Sequence, residues 1–503
     1  MTFITLCGAS HRTHNSPLHL RRLWLPTLVM TVGILSSAGC ALQPAYVKPP
    51  VSTPATWSSE TGLAQDQQTL QKALWWQRLN DTAINTLADA AFTENPTLLR
   101  ALSRVDEARA TVKVNSAATL PAVDFNASMT RAKSRNTSPV SSGVTMLSTS
   151  ASAGPSLSWE VDLFGRVSQS VEAAQNRLDA RTADAASTRL TLAADVANDV
   201  LSLRACENSR RVWVNDISSR EKTLTLTRLR LNSGFAASTD EARILSGIAT
   251  SRTNLATQVD QCSRLVNALV TLSGEEPTKI RSLIGVSSSA ADAAPMLLPQ
   301  APQAKPEIPA TVLALHPDVI SAEKEVAAAW AEIAVARADR LPRISLTAAL
   351  TGQWIRAGGS SLDFNTWSVG PSLTGPLFDG GAGAANVEIA QARYRRASAN
   401  MRGTLRTTVE DVENALAAQA SAAARVLSTQ EGSVAARTTF QASDFQWKAG
   451  AVSLFELEDS RRQFALAQDA EITAHRDQAL AWISLVKATG AAITLSPETI
   501  SYE

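Results

Sequence analysis

The chain has 503 residues, 47 of them basic and 46 acidic, for a formal net charge of +1. That balance removes the usual electrostatic reason to expect a nucleic acid as partner, and five His with four Cys leave little material for a metal site. The length is enough for several ordinary domains.

Residues 1–39 read as a signal peptide. Arg12, Arg21 and Arg22 precede an apolar stretch from Leu23 to Leu35, and "SSAGC" follows. The stretch is too short for a spanning helix and has the layout of a targeting segment. Ala38-Gly39-Cys40 resembles a bacterial lipoprotein signal, in which Cys40 becomes the acylated (palmitate-bearing) first residue. Ser37 departs from the usual leucine, and plain cleavage near Ala38 or Ala41 is the alternative. The long run before the apolar core leaves the true start codon open.

Residues 40–94 begin with the Pro-rich "ALQPAYVKPPVSTPATW", which has no periodicity and is expected to lie extended against other parts of the protein. An internal repeat follows. "NPTLLRALSRVDEARATV" from Asn95 is echoed by "HPDVISAEKEVAAAWAEI" from His316, and both runs reach a Leu-Pro, at 120–121 and 341–342. "GPSLSWEVDLFG" from Gly154 is echoed by "GPSLTGPLFDGG" from Gly370. The repeats span 95–274 and 316–490, with a connector at 275–315 and a tail at 491–503.

Each repeat reads helix, strand, strand, helix, helix. The strands are expected at 121–131 and 147–161, then at 342–354 and 364–377. Val123, Phe125, Ala127 and Met129 alternate with Asp124, Asn126, Ser128 and Thr130, so the first strand has one apolar and one polar face. The other three share that design, with Trp159, Trp354 and Trp367 towards their ends. A half-buried strand of a soluble sandwich would alternate in the same way. The strands are, however, as long as the 9–11 residues that cross a bilayer. Strand edges cannot stay open in lipid, and four strands cannot enclose a lumen. A spanning reading therefore requires several chains to share one barrel.

Helical hairpins are expected at 164–273 and 382–489. From Val167 to Ser233 there is neither Gly nor Pro, which permits one helix of about 100 Å. Gly234 and Gly450 mark the turns. Cys206 and Cys262 each lie 28 residues from Gly234, which sets them at one height of the first hairpin and predicts a disulfide in an oxidising compartment. Two buried thiols facing different neighbours are the alternative.

With the duplicated plan, "GPSLSWEVDLFGR" at 154–166, "SLTGPLFDGG" at 372–381 and the turn sequences, nearly all of the mature chain resembles the TolC-like outer membrane efflux channels, their lipoprotein branch in particular. The resemblance implies a mainly α fold with membrane β. It implies a homotrimer whose 12-stranded β-barrel continues into a long α-helical barrel in the periplasm. A collar would use the N-terminal arm, the connector and the C-terminus. It further implies a periplasmic adaptor protein and an inner-membrane pump as partners, and outer membrane lipid around the strands. No nucleic acid, cofactor or enzymatic activity is expected.

For the turns, the resemblance implies that Glu456 and Asp459, spaced i, i+3 in "SLFELEDSRR", line a closed periplasmic mouth, where acidic rings favour cations. Acidic residues also suit the first turn of any helix. Asp240 matches an aspartate that latches neighbouring coils, but Val452 stands where its basic partner is usual and Trp447 where Tyr is common. Lys448 or Arg243 is the candidate replacement. Leu454 and Phe455 are either an apolar constriction or inter-helix packing. A duct for protein secretion, and a coiled-coil structural or adaptor lipoprotein with a soluble β domain, are the competing readings.

Overall fold

The computed structural model describes residues 44–49, 54–58, 74–135, 145–285, 298–299 and 309–490. The signal peptide, Cys40 and the tail lie outside the described residues. So do residues 136–144 of the first strand loop and most of the connector. The described chain forms two compact units.

The first unit, residues 119–168 and 334–383, is built on one sheet. Strands β1 (Ala122–Arg135), β2 (Thr145–Val161), β3 (Arg343–Ala357) and β4 (Ser360–Thr374) pair antiparallel in chain order. All four strands run past their expected loop-side ends. For β3 and β4 the cause is a two-residue turn, Gly358-Gly359, with φ of +60° and +89°, the backbone that a tight hairpin demands and that glycine supplies. At its other end β4 stops at Thr374 instead of 377, because Gly375-Pro376 follows and Pro cannot donate to the ladder.

The register keeps the two faces distinct across the whole sheet. Val123 faces Leu157, Leu157 faces Ala348, and Ala348 faces Val369. On the polar face, the Ser128 and Ser152 hydroxyls lie 2.8 Å apart and the Asn126 amide donates to Ser156 at 2.8 Å. The apolar face carries large side chains left open, including Phe125 (73% exposed) and Trp367 (78%). A soluble β domain would bury such a face; an unburied one of this kind marks a contact surface. Asp162 and Asp379 close the sheet unit with matching caps. Asp162 accepts from the backbone N–H groups of Val167 and Ser168 at 3.0 and 2.8 Å, and Asp379 from Gly381 and Gly383 at 2.9 and 2.7 Å.

The second unit is helical. It contains a 3-10 turn at Trp75–Leu79, α1 (Thr82–Glu94), α2 (Pro96–Ala117), α3 (Arg166–Asn232), α4 (Ser238–Ser273), α5 (Pro277–Ile284), α6 (Pro309–Leu315), α7 (Pro317–Ala338), α8 (Ala382–Lys448) and α9 (Leu454–Ala488). Asp81 and Asn95 start α1 and α2 by accepting from backbone N–H groups two and three residues on, the usual work of such N-caps. The main core gathers Trp75, Trp76, Ile84 and Leu87 against Val196, Val200 and Leu203 of α3, Leu269 of α4 and Trp482 of α9. The indoles of Trp75 and Trp482 lie 5.9 Å apart. The N-terminal arm does pack on helices: Tyr46 meets the cluster of Val319, Val326 and Met401, and Trp57 is buried against Val412 and Leu485. Much of α3 and α8 is small residues at helix contacts, Ala193, Ala197 and Ala415 among them, which allows close approach of neighbouring helices. Among the described residues no helix is long and apolar enough to cross a membrane.

Candidate functional site at the helical turns

The two turns are closed by the same backbone device. At the first, Gly234 has φ +77° and the Phe235 N–H donates back to the Arg230 carbonyl at 2.8 Å. At the second, Gly450 has φ +78° and Ala451 donates to Gln446 at 2.8 Å. A left-handed residue satisfies the last carbonyls of a helix in this way, and glycine adopts it without a Cβ penalty. The Ser453 hydroxyl then caps α9 by accepting from the Glu456 N–H at 3.3 Å.

The turns are joined side by side. The Arg230 guanidinium stacks 4.6 Å from the Trp447 ring and donates to the Lys448 carbonyl at 3.3 Å. Trp447 is buried with Leu224, Ile244, Ile248, Leu454 and Leu457. Leu454 is therefore packing, the second of its two expected roles. Phe455 is exposed, with the Arg243 guanidinium 5.3 Å from its ring.

The predicted site residues divide into two sets. Glu456 is exposed on the first turn of α9. Asp459, one turn on, is half-buried and ion-paired with Arg462, with the Gln463 amide donating at 2.7 Å. Asp240 accepts from the Ala237 N–H at 3.4 Å and lies 3.7 Å from Arg243. Lys448 instead pairs with Asp444 on its own helix at 2.6 Å. Within one chain, then, Asp240 does not meet Trp447 or Lys448, and Arg243 is the basic group beside it. Cys206 and Cys262 are joined in a disulfide, with Cα atoms 5.6 Å apart.

The most developed polar feature was not singled out from the sequence. Glu458, between Glu456 and Asp459 in sequence but turned to the opposite side of α9 from Glu456, is buried and ion-paired with both Arg220 of α3 and Arg461 of α9. Arg220 also donates to Asp216 at 2.8 Å, Asp216 accepts from the Ser251 hydroxyl of α4, and Arg461 donates to the Thr223 hydroxyl at 2.9 Å. Arg220, Asp216, Glu458 and Arg461 are each less than 10% exposed. Burial pushes the Glu458 carboxyl up from its ordinary value, while Arg461 and Arg220 pull it down. Burial also lowers Arg461. The cluster ties both hairpins together within one turn of Asp459. It borders a cleft of about 600 Å³ that Trp213, Phe455, Asp459 and Arg462 also line.

One sequence signal could have led here, a glycine in a helix interior. Gly247 sits inside α4, where glycine costs about 1 kcal/mol relative to alanine. A Cβ at 247 would lie 2.4 Å from the Arg220 guanidinium, so the missing side chain is the space through which Arg220 reaches Glu458.

A sequence profile of the outer membrane efflux protein family matches the chain over residues 87–275 and 308–491. The chain is similar to outer membrane protein OprJ of Pseudomonas aeruginosa, 28% identical over 461 residues that cover 91% of this chain and 94% of OprJ. It is 27% identical over 481 residues to the toluene efflux pump outer membrane protein TtgI of Pseudomonas putida, covering 92% and 97%. The solved structure of the outer-membrane channel OprN superposes with a TM-score of 0.79 at 25% identity, covering 90% of this chain and 99% of that one.

Proposed function

Because the chain belongs to the outer membrane efflux protein family, we propose that three copies form a closed channel that conducts small molecules from the periplasm to the exterior. A periplasmic adaptor and an inner-membrane pump deliver the cargo. The observation that carries this reading is the sheet. Its apolar face is unburied, its polar face is Ser- and Thr-lined, and among the described residues its two outer strands each lack a neighbour on one side. Such a sheet is stable in a bilayer only when its edges are paired. Three copies supply twelve strands, with the apolar face to lipid and the hydroxyls to a water-filled lumen.

The two repeats place two helical hairpins per chain, so the same symmetry builds a helical tube whose periplasmic end holds the Gly234 and Gly450 turns. Cys40 anchors the mature chain to the membrane through its acyl group. Glu456 is the pore-facing carboxylate with the larger effect on ions, since Asp459 is already paired with Arg462.

Single-channel recording of the purified protein in a planar bilayer tests this. Glu456→Gln with Asp459→Asn lowers cation preference or block by cations, with Glu456→Gln alone giving most of the effect. Unchanged selectivity removes both residues from the pore, and a protein without conductance removes the channel.

A further inference from the structure

The two hairpins of the sheet have the same register once the repeats are aligned. With Gly154 matched to Gly370 and Pro121 to Pro342, the observed pair Asn126–Gly154 in β1–β2 becomes Thr347–Gly370, which is the pair observed in β3–β4. The correspondence thus holds to the single residue. The junction between the hairpins, β2 against β3, has no counterpart among the described residues of the chain. Its counterpart would be β4 against the β1 of another copy.

Gly154 and Pro155 give that junction its signature. The β2–β3 pairing runs from Ala153–Gly352 to Ser156–Ala349 and is interrupted at Gly154 and Pro155. A Cβ on Gly154 would lie 1.9 Å from the Leu350 carbonyl oxygen of β3. On their other side the same two residues pair normally, with Asn126 and Phe125. Pro cannot donate to a ladder and belongs at an edge or an irregularity, so Pro155 turns its missing donor to the junction. Gly370-Pro371 repeats the dipeptide on β4. It pairs normally with Thr347 and Leu346 of β3. A Cβ on Gly370 would nevertheless meet nothing within 4 Å, and its φ is not in the left-handed region. Neither space nor backbone within the chain asks for glycine there.

We propose that β4 pairs antiparallel with β1 of a second copy of this chain in the register that sets Ser372 opposite Ser128, with Gly370-Pro371 as the point of closest backbone approach. Carrying the β2–β3 pairs through the repeat assigns the contacts. Ser156–Ala349 becomes Ser372–Ser128, Ser158–Thr347 becomes Thr374–Asn126, and Ala153–Gly352 becomes Val369–Arg131. The carbonyl that crowds Gly370 is that of Met129 of the partner subunit, the match of Leu350. Face parity is kept: Ser372 and Thr374 meet Ser128 and Asn126 on the polar face. This rests on the shared-barrel reading above and adds its register.

Two measurements on the full-length protein in membranes test it. In the first, Ser372→Cys is combined in turn with Asp124→Cys, Asn126→Cys, Ser128→Cys, Thr130→Cys or Ala132→Cys, and each double variant is treated with a short bifunctional thiol reagent. Directly opposed Cβ atoms lie about 4.5–5.5 Å apart, so covalent oligomers should be strongest with Ser128→Cys and fall at least fivefold four positions away. A maximum at another position overturns the register while leaving the shared barrel in place. An untreated protein that is monomeric in membranes overturns the shared barrel itself. In the second, Gly370→Val should reduce the oligomeric fraction at least tenfold while far-UV helicity and the Cys206–Cys262 linkage are retained. Normal assembly of Gly370→Val overturns the assigned close approach.

Discussion

Glu458→Gln is the most informative single change in the helical unit. It keeps the size of the side chain and removes the only carboxylate that bridges Arg220 and Arg461 in the described cluster. Arg220 retains Asp216 at 2.8 Å, whereas Arg461 loses its direct ion pair and keeps only the Thr223 hydroxyl, the Phe440 ring at 5.5 Å and the weaker attraction of Asp216 and Asp444. Removing one partner of a buried pair costs about 3–5 kcal/mol, because the remaining charge stays buried and uncompensated. At about 1.4 kcal/mol per factor of ten, local opening of α3 from α9 should become roughly two to three and a half orders of magnitude more frequent. Amide hydrogen exchange on the purified protein reads this directly, as loss of protection in peptides covering 213–227 and 454–466. Peptides from the Trp75–Trp482 core should keep theirs. A quadruple change, Asp216→Leu with Arg220→Met, Glu458→Leu and Arg461→Met, should restore protection, since apolar groups of similar volume replace buried ion pairs at little or no cost once every charged member of the cluster is replaced. Unchanged exchange in Glu458→Gln, or equal loss over the whole chain, would refute the claim that this cluster holds the two hairpins together locally.

Two further outcomes are expected. The Cys206–Cys262 disulfide closes a separation of 56 residues, worth about 4 kcal/mol by loop-closure entropy; Cys206→Ala with Cys262→Ala should lower the guanidinium midpoint, and reductant should do the same to the unaltered protein but not to the variant. Burial raises the Asp199 carboxyl to about 6, with Asp195 adding to it. The folded state therefore holds this proton more tightly than the unfolded chain. The resulting stabilisation is full below the ordinary value of 3.8 and is lost as pH rises through about 6. Asp199→Asn should flatten that part of a melting-midpoint series against pH, and an unaltered slope would remove Asp199 as its source.

What could be read from the order of residues was whatever repeats at short range. Alternation in twos set out β1 to β4, and it also named the face that stays open, through Val123, Phe125, Trp367 and Val369. The absence of Gly and Pro across 167–233 announced α3, and Gly234 and Gly450 announced the turns. The disulfide was legible for the same reason, because equal distances from a turn become equal heights in a hairpin. Strand ends were less legible: the two glycines at 358–359 look like loop and form a turn so tight that pairing continues up to it.

The Arg220–Glu458–Arg461 cluster lies beyond that range. Glu458 stands one residue before Asp459 in an acidic run that invites a single reading, yet each helical residue turns the side chain by about 100°. That rotation sends Glu456 to solvent and Glu458 into the seam between hairpins. Which side of α9 meets α3 is decided by packing of Leu454, Leu457 and Trp447 against Leu224, Ile244 and Ile248, residues up to more than two hundred positions apart. Local periodicity therefore determined the strands, the long helices and their turns, because each depends on backbone geometry over a few residues. Only the tertiary structure decided which charges are buried and paired, because that depends on how two helices from different parts of the chain are rotated against each other.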